Sequence, residues 1–360
     1  MILDSIELLS FRNFSHLMAS FNPNFNIFIG PNGAGKTNLL EAIYLLSNGE
    51  LKRGKREIEA IKWNDPFTWI RGEVEYEDGR LMKLVTQIRI EGGKDFSING
   101  KIVSLRRYLG SFPTVSIFDD DQDIITGGPD RRRKFLDDFV ISIDPEYYSI
   151  LNSYKGILTR RNKVLRTKNT DKKLLEALTE LLLDYGEKII ASRYNAVSVY
   201  NRYLDREGKK FSLEIRVEIP SFKEDIQKSI QFYRDRFNLF RRKEETIGIT
   251  LIGPHREDII IRINGKDSRS FASNGEIQII LFLLKVAQFE IIRETKSYKP
   301  VFLIDEFLGR LDDKNSRLIM DLIEEKSPQI FTTMLFKRVI GKSGKIFTVD
   351  NGEIIDEEAF

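Results

Sequence analysis

Eight consecutive residues constrain this chain more than any others. Gly30-Pro31-Asn32-Gly33-Ala34-Gly35-Lys36-Thr37 fill every fixed position of a P-loop. They follow Phe25-Asn26-Ile27-Phe28-Ile29, a β-branched and aromatic run that reads as a buried strand. After them Leu39, Leu40, Ala42, Ile43, Leu45 and Leu46 recur at helical spacing up to a stop at Asn48-Gly49. Strand, glycine-rich loop and helix in that order make a phosphate cradle. The glycines let successive backbone N–H groups curl round a β-phosphate, and the positive end of the helix points at the same place. Lys36 adds a mobile charge for the β- and γ-phosphates, and Thr37 a hydroxyl for Mg²⁺.

Such a loop needs a carboxylate on the metal side, at the end of a neighbouring strand. Val301-Phe302-Leu303-Ile304 is an apolar run of the kind found in central parallel strands, and it ends in Asp305-Glu306. Consecutive strand residues point to opposite faces, but the chain is already turning there. Asp305 can therefore face the metal while Glu306 orients an attacking water.

The chain has 360 residues, enough for two ordinary domains or one large domain with an insertion. Its 57 Lys and Arg against 54 Asp and Glu leave a net charge of +3, so any preference for polyanions must come from local clustering. The absence of cysteine excludes disulfides, thiolate nucleophiles, Fe–S clusters and Cys-based zinc sites. Only His16 and His255 are available to a triad or a His-rich metal site, and neither sits in a hydrolase-like context. The start, Met1 to Glu7, lacks the features of a signal peptide. The most apolar stretch, Ile277 to Ile292, is too short to span a membrane and carries Gln278, Lys285, Gln288 and Glu290. A soluble, cytoplasmic protein is expected.

Between about Gly72 and Ser104, the turn signals Asp78-Gly79, Gly92-Gly93 and Asn99-Gly100 separate alternating runs, which predicts an antiparallel meander. From Gly127-Gly128-Pro129 the chain becomes long, basic and helix-patterned. Strand chemistry resumes at Ile247-Gly248-Ile249-Thr250-Leu251-Ile252, and Ile346 to Ile354 reads as a last hairpin. The reading is one discontinuous domain, residues 1–128 with 247–360, around an inserted helical lobe at 129–246.

Further blocks join these. The P-loop runs into Asn38-Leu39-Leu40-Glu41-Ala42-Ile43-Tyr44, and Phe11-Arg12-Asn13-Phe14 stands near the start. Gly253-Pro254-His255-Arg256-Glu257-Asp258, Phe271-Ala272-Ser273-Asn274-Gly275 and Leu311-Asp312 follow in order. Together they resemble the RecF family, small members of the ABC-type ATPases that include SMC proteins and Rad50. The resemblance implies an α/β fold: an ABC-type P-loop ATPase head with an antiparallel β layer and an inserted helical lobe. It implies that Ser273, Asn274 and Gly275 form the signature motif completing the ATP site of a second subunit, with Asp312 a D-loop residue at that interface. Gly275 precedes a long apolar helix, whose first free N–H groups would suit a γ-phosphate. With one P-loop and one signature per chain, two chains set head to tail would sandwich two ATP molecules with Mg²⁺.

The resemblance further implies an ATPase of recombinational repair and replication restart. Its ATP-dependent homodimer would form on DNA at gaps or single-/double-strand junctions, and slow, DNA-stimulated hydrolysis would release it. RecO- and RecR-like partners and RecA loading belong to the same picture. A chromosome-organising SMC-like ATPase is the alternative, but too little chain separates P-loop and signature to build long coiled arms. A transport ATPase subunit fits the imperfect signature less well still. The chain departs from the family pattern in Glu276-Ile277-Gln278 after the signature, in Asp119-Asp120-Asp121-Gln122 at the Q-loop position, and in Thr332-Thr333 where transporters carry a switch histidine. His255 is open to nucleotide or DNA contact and to a structural role.

Arg131, Arg132, Arg133 and Lys134 are consecutive, and no acid interrupts Tyr147 to Thr170, which holds Lys155, Arg160, Arg161, Lys163, Arg166 and Lys168. By charge alone, a solvated helix face and a contact to a phosphate backbone both remain open. The resemblance favours DNA, with Arg131, Arg132, Arg133, Arg160, Arg161 and Lys163 as the candidate contacts.

Overall fold

The computed structural model describes residues 1–54, 56–167, 171–307, 313–326, 328–335 and 343–360. The chain divides into two units, Met1–Asp121 with Asn274–Phe360, and Gln122–Ser273.

The first unit opens with a hairpin, β1 (Ile2–Phe11) and β2 (Phe14–Ser20), followed by β3 (Phe25–Ile29) and α1 (Lys36–Asn48). The turn signals then join β4 (Phe67–Glu75), β5 (Leu81–Arg89), β6 (Gly93–Ile98) and β7 (Lys101–Val103) into an antiparallel meander. With the first hairpin it forms a six-stranded sheet in the order β2-β1-β4-β5-β6-β7. Alternation is plain in β5, where Met82, Leu84, Thr86 and Ile88 are buried and Leu81 and Lys83 are exposed. A short α2 (Leu105–Tyr108) leads to β8 (Thr114–Ile117).

The second unit contains α3 (Asp123–Thr126), α4 (Pro129–Ile143), α5 (Glu146–Leu165), α6 (Lys172–Gly208), β9 (Ile215–Glu218), α7 (Ile226–Ile247), β10 (Ile260–Ile263), β11 (Lys266–Asp267) and α8 (Ser268–Phe271). It is longer than the lobe read at 129–246, and not wholly helical. β10 pairs with β9 and β11 in a small antiparallel sheet, which holds the segment up to Ser273 in this unit. The strand expected at Ile247 to Ile252 is absent. α7 runs through Ile247 and ends on Gly248 at φ 78°, whose N–H bonds to the Glu244 carbonyl. Side chains then take the amides a ladder would use: Asn162 accepts from Thr250 N (2.8 Å) and Glu244 from Leu251 N (2.7 Å).

The chain returns to the first unit with α9 (Asn274–Lys296), β12 (Val301–Asp305), α10 (Asp313–Lys326), β13 (Ile330–Met334), β14 (Gly344–Asp350) and β15 (Glu353–Ala359). The second sheet runs β15-β14-β3-β13-β12-β8, parallel except for the β14–β15 hairpin. α1 packs against β8, β12 and β13 of this sheet and against β1, β4 and β5 of the other. Because it is covered on both sides, its apolar residues are not confined to one stripe: Leu39, Leu40, Ala42, Ile43, Leu45 and Leu46 are all fully buried. Burial of each larger aliphatic chain is worth about 1.5–3 kcal/mol, which locks the helix and the loop before it into the core. Among the described residues, no helix is long and apolar enough to cross a membrane.

Candidate nucleotide-binding site

The loop before α1 takes a shape that only glycine allows at two points. Gly30 has φ 148°, and a Cβ there would lie 2.1 Å from the Val349 carbonyl oxygen of β14. Gly35, the N-cap of α1, has φ 116°, and its Cβ would lie 2.7 Å from Asn13 Nδ2. Lys36 is buried, and its Nζ donates to the carbonyls of Gly30 (2.8 Å) and Pro31 (3.1 Å), folding back over the loop.

β12 lies beside β13 in the sheet that α1 covers, and its end reaches this loop. Thr37 Oγ1 donates to Asp305 Oδ1 at 3.0 Å, and Thr333 Oγ1 of β13 donates to the same oxygen at 2.7 Å. The Thr333 hydroxyl also accepts from Glu306 N at 2.9 Å. Glu306 has φ 49°, left-handed for a residue with a side chain. That turn breaks strand alternation and brings its carboxylate to the same side as Asp305, with Oε1 3.6 Å from Lys36 Nζ. Burial raises the pKa of Asp305 above the ordinary aspartate value, opposed by the hydrogen bonds from Thr333 and Thr37 and by the charge of Arg53.

A brace surrounds the loop. The β1–β2 turn, with Arg12 at φ 53°, directs Asn13 so that its Nδ2 donates to the Ala34 carbonyl (2.9 Å). Asn38 donates to Asn13 Oδ1 (2.8 Å), and Arg53 Nη2 donates to Asn38 Oδ1 (3.2 Å). Glu41, fully buried on α1, pairs with Arg12 Nη2 at 3.0 Å and accepts from Arg53 N at 2.9 Å. Thus Phe11 to Phe14 and the Asn38 to Ala42 extension, 25 positions apart at Asn13 and Asn38, form one support. Residue chemistry by itself did not predict the roles of Asn13, Asn38, Glu41, Arg53 and Thr333. The available signal was the presence of these blocks beside the P-loop, without a reason for each member.

This donor set fits a magnesium nucleotide. The cradle and Lys36 suit the phosphates, and the Thr37 hydroxyl with the Asp305 carboxylate supplies the hard oxygens that Mg²⁺ prefers.

A family model described as the RecF/RecN/SMC N terminal domain matches residues 2–354. The chain is similar to the DNA replication and repair protein RecF of Bacillus pumilus (strain SAFR-032), at 31% identity over 372 residues, covering 99% of this chain and 100% of that one. The chain belongs to the RecF family. A solved structure described as the recombination mediator protein RecF with ATP in the RecFOR pathway is 32% identical, with a TM-score of 0.89 over 99% of both chains. An Smc head domain from Pyrococcus furiosus shares the fold at 17% identity and a TM-score of 0.55, covering 99% of this chain and 95% of that one. RecF and SMC proteins are ATP-binding ABC-type ATPases, and the expected ABC-type α/β head is the fold observed here.

Of the remaining RecF-family motif residues, Ser273, Asn274 and Gly275 are exposed where α9 begins. Asp312 lies outside the described residues. Asp121, within the Asp119 to Gln122 stretch at the Q-loop position, is buried between Lys52 (2.6 Å) and Lys285 (3.6 Å).

The basic candidates of the second unit separate into two groups. Arg131, Arg160 and Lys163 are exposed. Arg132 and Arg161 are not available to a polyanion, contrary to expectation, because each is buried and closed off by a carboxylate. Arg132 bonds Asp258 Oδ1 through Nε (3.0 Å) and Nη2 (2.9 Å). Arg161 pairs with Glu244 (2.8 Å), donates to Thr179 (3.0 Å) and Thr250 (2.7 Å), and stacks over Phe237. Arg133 is mostly buried against Asp130 and the Glu257 carbonyl, which corrects that assignment too. The Gly253 to Asp258 block supplies this lobe's internal ties. Pro254 O and Glu257 receive buried Arg193, which also binds both oxygens of Asp137. His255 is tied into this lobe's hydrogen bonds, and burial lowers its pKa to about 4. The Thr250 carbonyl, 3.4 Å from Nε2, can only accept, so Tyr154 Oη donates to Nδ1 at 2.6 Å.

Proposed function

We propose that this chain is an ATP-dependent DNA-binding protein of recombinational repair and replication restart. ATP binding drives a head-to-tail homodimer on DNA at gaps or junctions, and slow, DNA-stimulated hydrolysis releases it. RecO- and RecR-like proteins act with it to load RecA in the cytoplasm, beside the nucleoid. The observation that carries the reading is that the strand end meets the loop twice, Asp305 at hydrogen-bonding distance from Thr37 and Glu306 at ion-pair distance from Lys36.

The catalytic part is positional. Backbone N–H groups of Gly33 to Thr37 and the α1 N-terminus hold the phosphates, and Lys36 leaves the loop carbonyls for the β- and γ-oxygens. Thr37 and Asp305 would hold Mg²⁺, which when bound neutralises phosphate charge. Glu306, kept in place by its own N–H on Thr333, accepts a proton from the attacking water. Ser273, Asn274 and Gly275, exposed where α9 begins, present a positive helix end to the γ-phosphate held by a second copy, and Asp312 is assigned to the same interface by family resemblance. Exposed Arg131, Arg160 and Lys163 contact the DNA backbone.

The test is light scattering of the Glu306→Gln chain with and without Mg-ATP. A stable ATP-dependent dimer is expected, and a chain that remains monomeric at saturating Mg-ATP overturns the sandwich.

A further inference from the structure

α7 carries a surface that the preceding reading does not use. Its buried side is formed by Ser229, Tyr233, Phe237 and Glu244. On one flank, Arg234 and Arg241 pair with Glu187 (2.6 Å) and Glu176 (3.7 Å) of α6. The other flank carries Phe232, Arg236, Phe240 and Lys243, spaced four, four and three residues apart and therefore along one line of the helix. The Arg236 guanidinium lies between the two rings, 5.6 Å from the centre of Phe232 and 5.7 Å from that of Phe240. Lys223 Nζ stands 3.9 Å from the Phe232 centre, and Lys243 Nζ 5.8 Å from that of Phe240. Lys223, Arg236 and Lys243 are exposed, and none has a carboxylate within ion-pair distance among the described residues.

A cleft of about 240 Å³ opens beside this ladder, lined among others by Ser221, Phe232, Arg236, Arg256, Glu257 and Asp258. Its two carboxylates are partly offset by arginines that also serve Asp137 and Asp267. Glu257 is held by Arg193 (3.3 Å) and Ser221 (2.6 Å), and Asp258 by Arg132 (2.9 Å) and Arg269 (3.2 Å). With Arg236 and the exposed Arg256, Arg132, Arg193 and Arg269 outnumber Asp137, Glu257, Asp258 and Asp267, so the cleft is positive.

The ligand must then be anionic at the cleft and flat along the ladder. A guanidinium held against aromatic rings loses little further freedom on binding, and its outer plane accepts any π-face. Nucleobases have such faces, but a duplex hides them in its stack; only an unpaired strand offers bases and phosphates together. We propose that the cleft and the Phe232–Arg236–Phe240 ladder bind a single-stranded nucleic-acid segment. Its phosphate lies against Arg236 and Arg256, and its bases lie along the ladder. This rests on the reading that the chain acts on DNA, and adds which strand state this face takes.

The experiment is fluorescence anisotropy of the full chain with Mg-ATP, using a short oligothymidylate and a blunt duplex of equal length. Arg236→Ala with Phe240→Ser should weaken oligothymidylate binding about tenfold and leave the duplex unchanged. Arg236→Lys keeps the charge but not the plane, and should lose most of the same single-strand affinity without disturbing the fold. Equal losses on both probes, or none on either, overturn the proposal and leave the DNA reading standing. A wild-type chain that binds neither probe brings down both. Displacement of oligothymidylate by a poly-aspartate peptide at lower charge concentration than by unlabelled oligothymidylate assigns the face to an acidic protein segment and also overturns it.

Discussion

Around the P-loop, Lys36, Asp305 and Glu306 gather in one cluster held largely by hydroxyls and carbonyls, whereas in the second unit Arg132, Arg161 and Arg193 are buried and each is closed off by a carboxylate. The first arrangement leaves charge able to change partner. On the proposed reading, Lys36 would exchange two carbonyls for phosphate oxygens at little loss, because both alternatives are hydrogen-bonded. The second arrangement cannot change without stranding an ion in the core. Charge density along a sequence therefore says less about ligand binding than how readily each charge can be released by its present partners.

Four substitutions, with Arg160→Ala as a control for the second, would break or sharpen this contrast. Glu306→Gln is expected to have the largest effect, lowering single-turnover ATP hydrolysis by about 10²–10⁴-fold while nucleotide binding persists. Unchanged hydrolysis removes Glu306 from the water-positioning role. Next is Arg161→Ala, which leaves Glu244 uncompensated and should cost about 3–5 kcal/mol in urea unfolding. Its exposed neighbour Arg160→Ala should leave stability unchanged, and matching losses at both positions would erase the distinction between inward and outward arginines.

The third substitution is Thr333→Val. It removes a hydrogen bond that favours ionised Asp305, so the already raised pKa rises further. Magnesium and the proton compete for that carboxylate. The variant should therefore lose Mg-ATP affinity at a higher pH than the wild type as acidity increases, measured by calorimetric titration at several pH values. For stability the sign is opposite: the raised pKa penalises the ionised fold, and this penalty is relieved as pH falls through the raised value. The smallest effect is expected for Lys163→Ala, which should weaken duplex binding uniformly across sequences and reduce the logarithmic salt slope by about 1.

The strand–loop–helix unit at residues 25–48 was legible because its chemistry depends on backbone shape, and glycine spacing encodes that shape locally. Asp305 was legible for a similar reason: an apolar run that ends in acids is what a doubly covered parallel strand looks like. Thr333 was not. Its link to Asp305 and Glu306 exists only because β13 pairs with β12 in parallel, a relation between segments with no local signature. The segment after Ile247 misled because its β-branched residues look like a strand, while Asn162 and Glu244, distant and near in sequence, take its amides. The arginine clusters were only half legible, since neighbours on a helix differ in direction by about 100°. Arg160 and Arg161 have the same chemistry in the sequence, yet one meets solvent and the other Glu244.

By itself, then, the amino-acid order determined the glycine-rich loop between strand and helix, the acidic strand end, the meander and the presence of a basic, mainly helical insertion. All of these follow from local conformational preference or from the periodicity of burial. Tertiary structure alone decided which charges remain free, where the second unit ends, and how Glu306 returns to the side of Lys36. Each of these depends on which distant group reaches a given polar atom first, and a one-dimensional pattern carries no such distances.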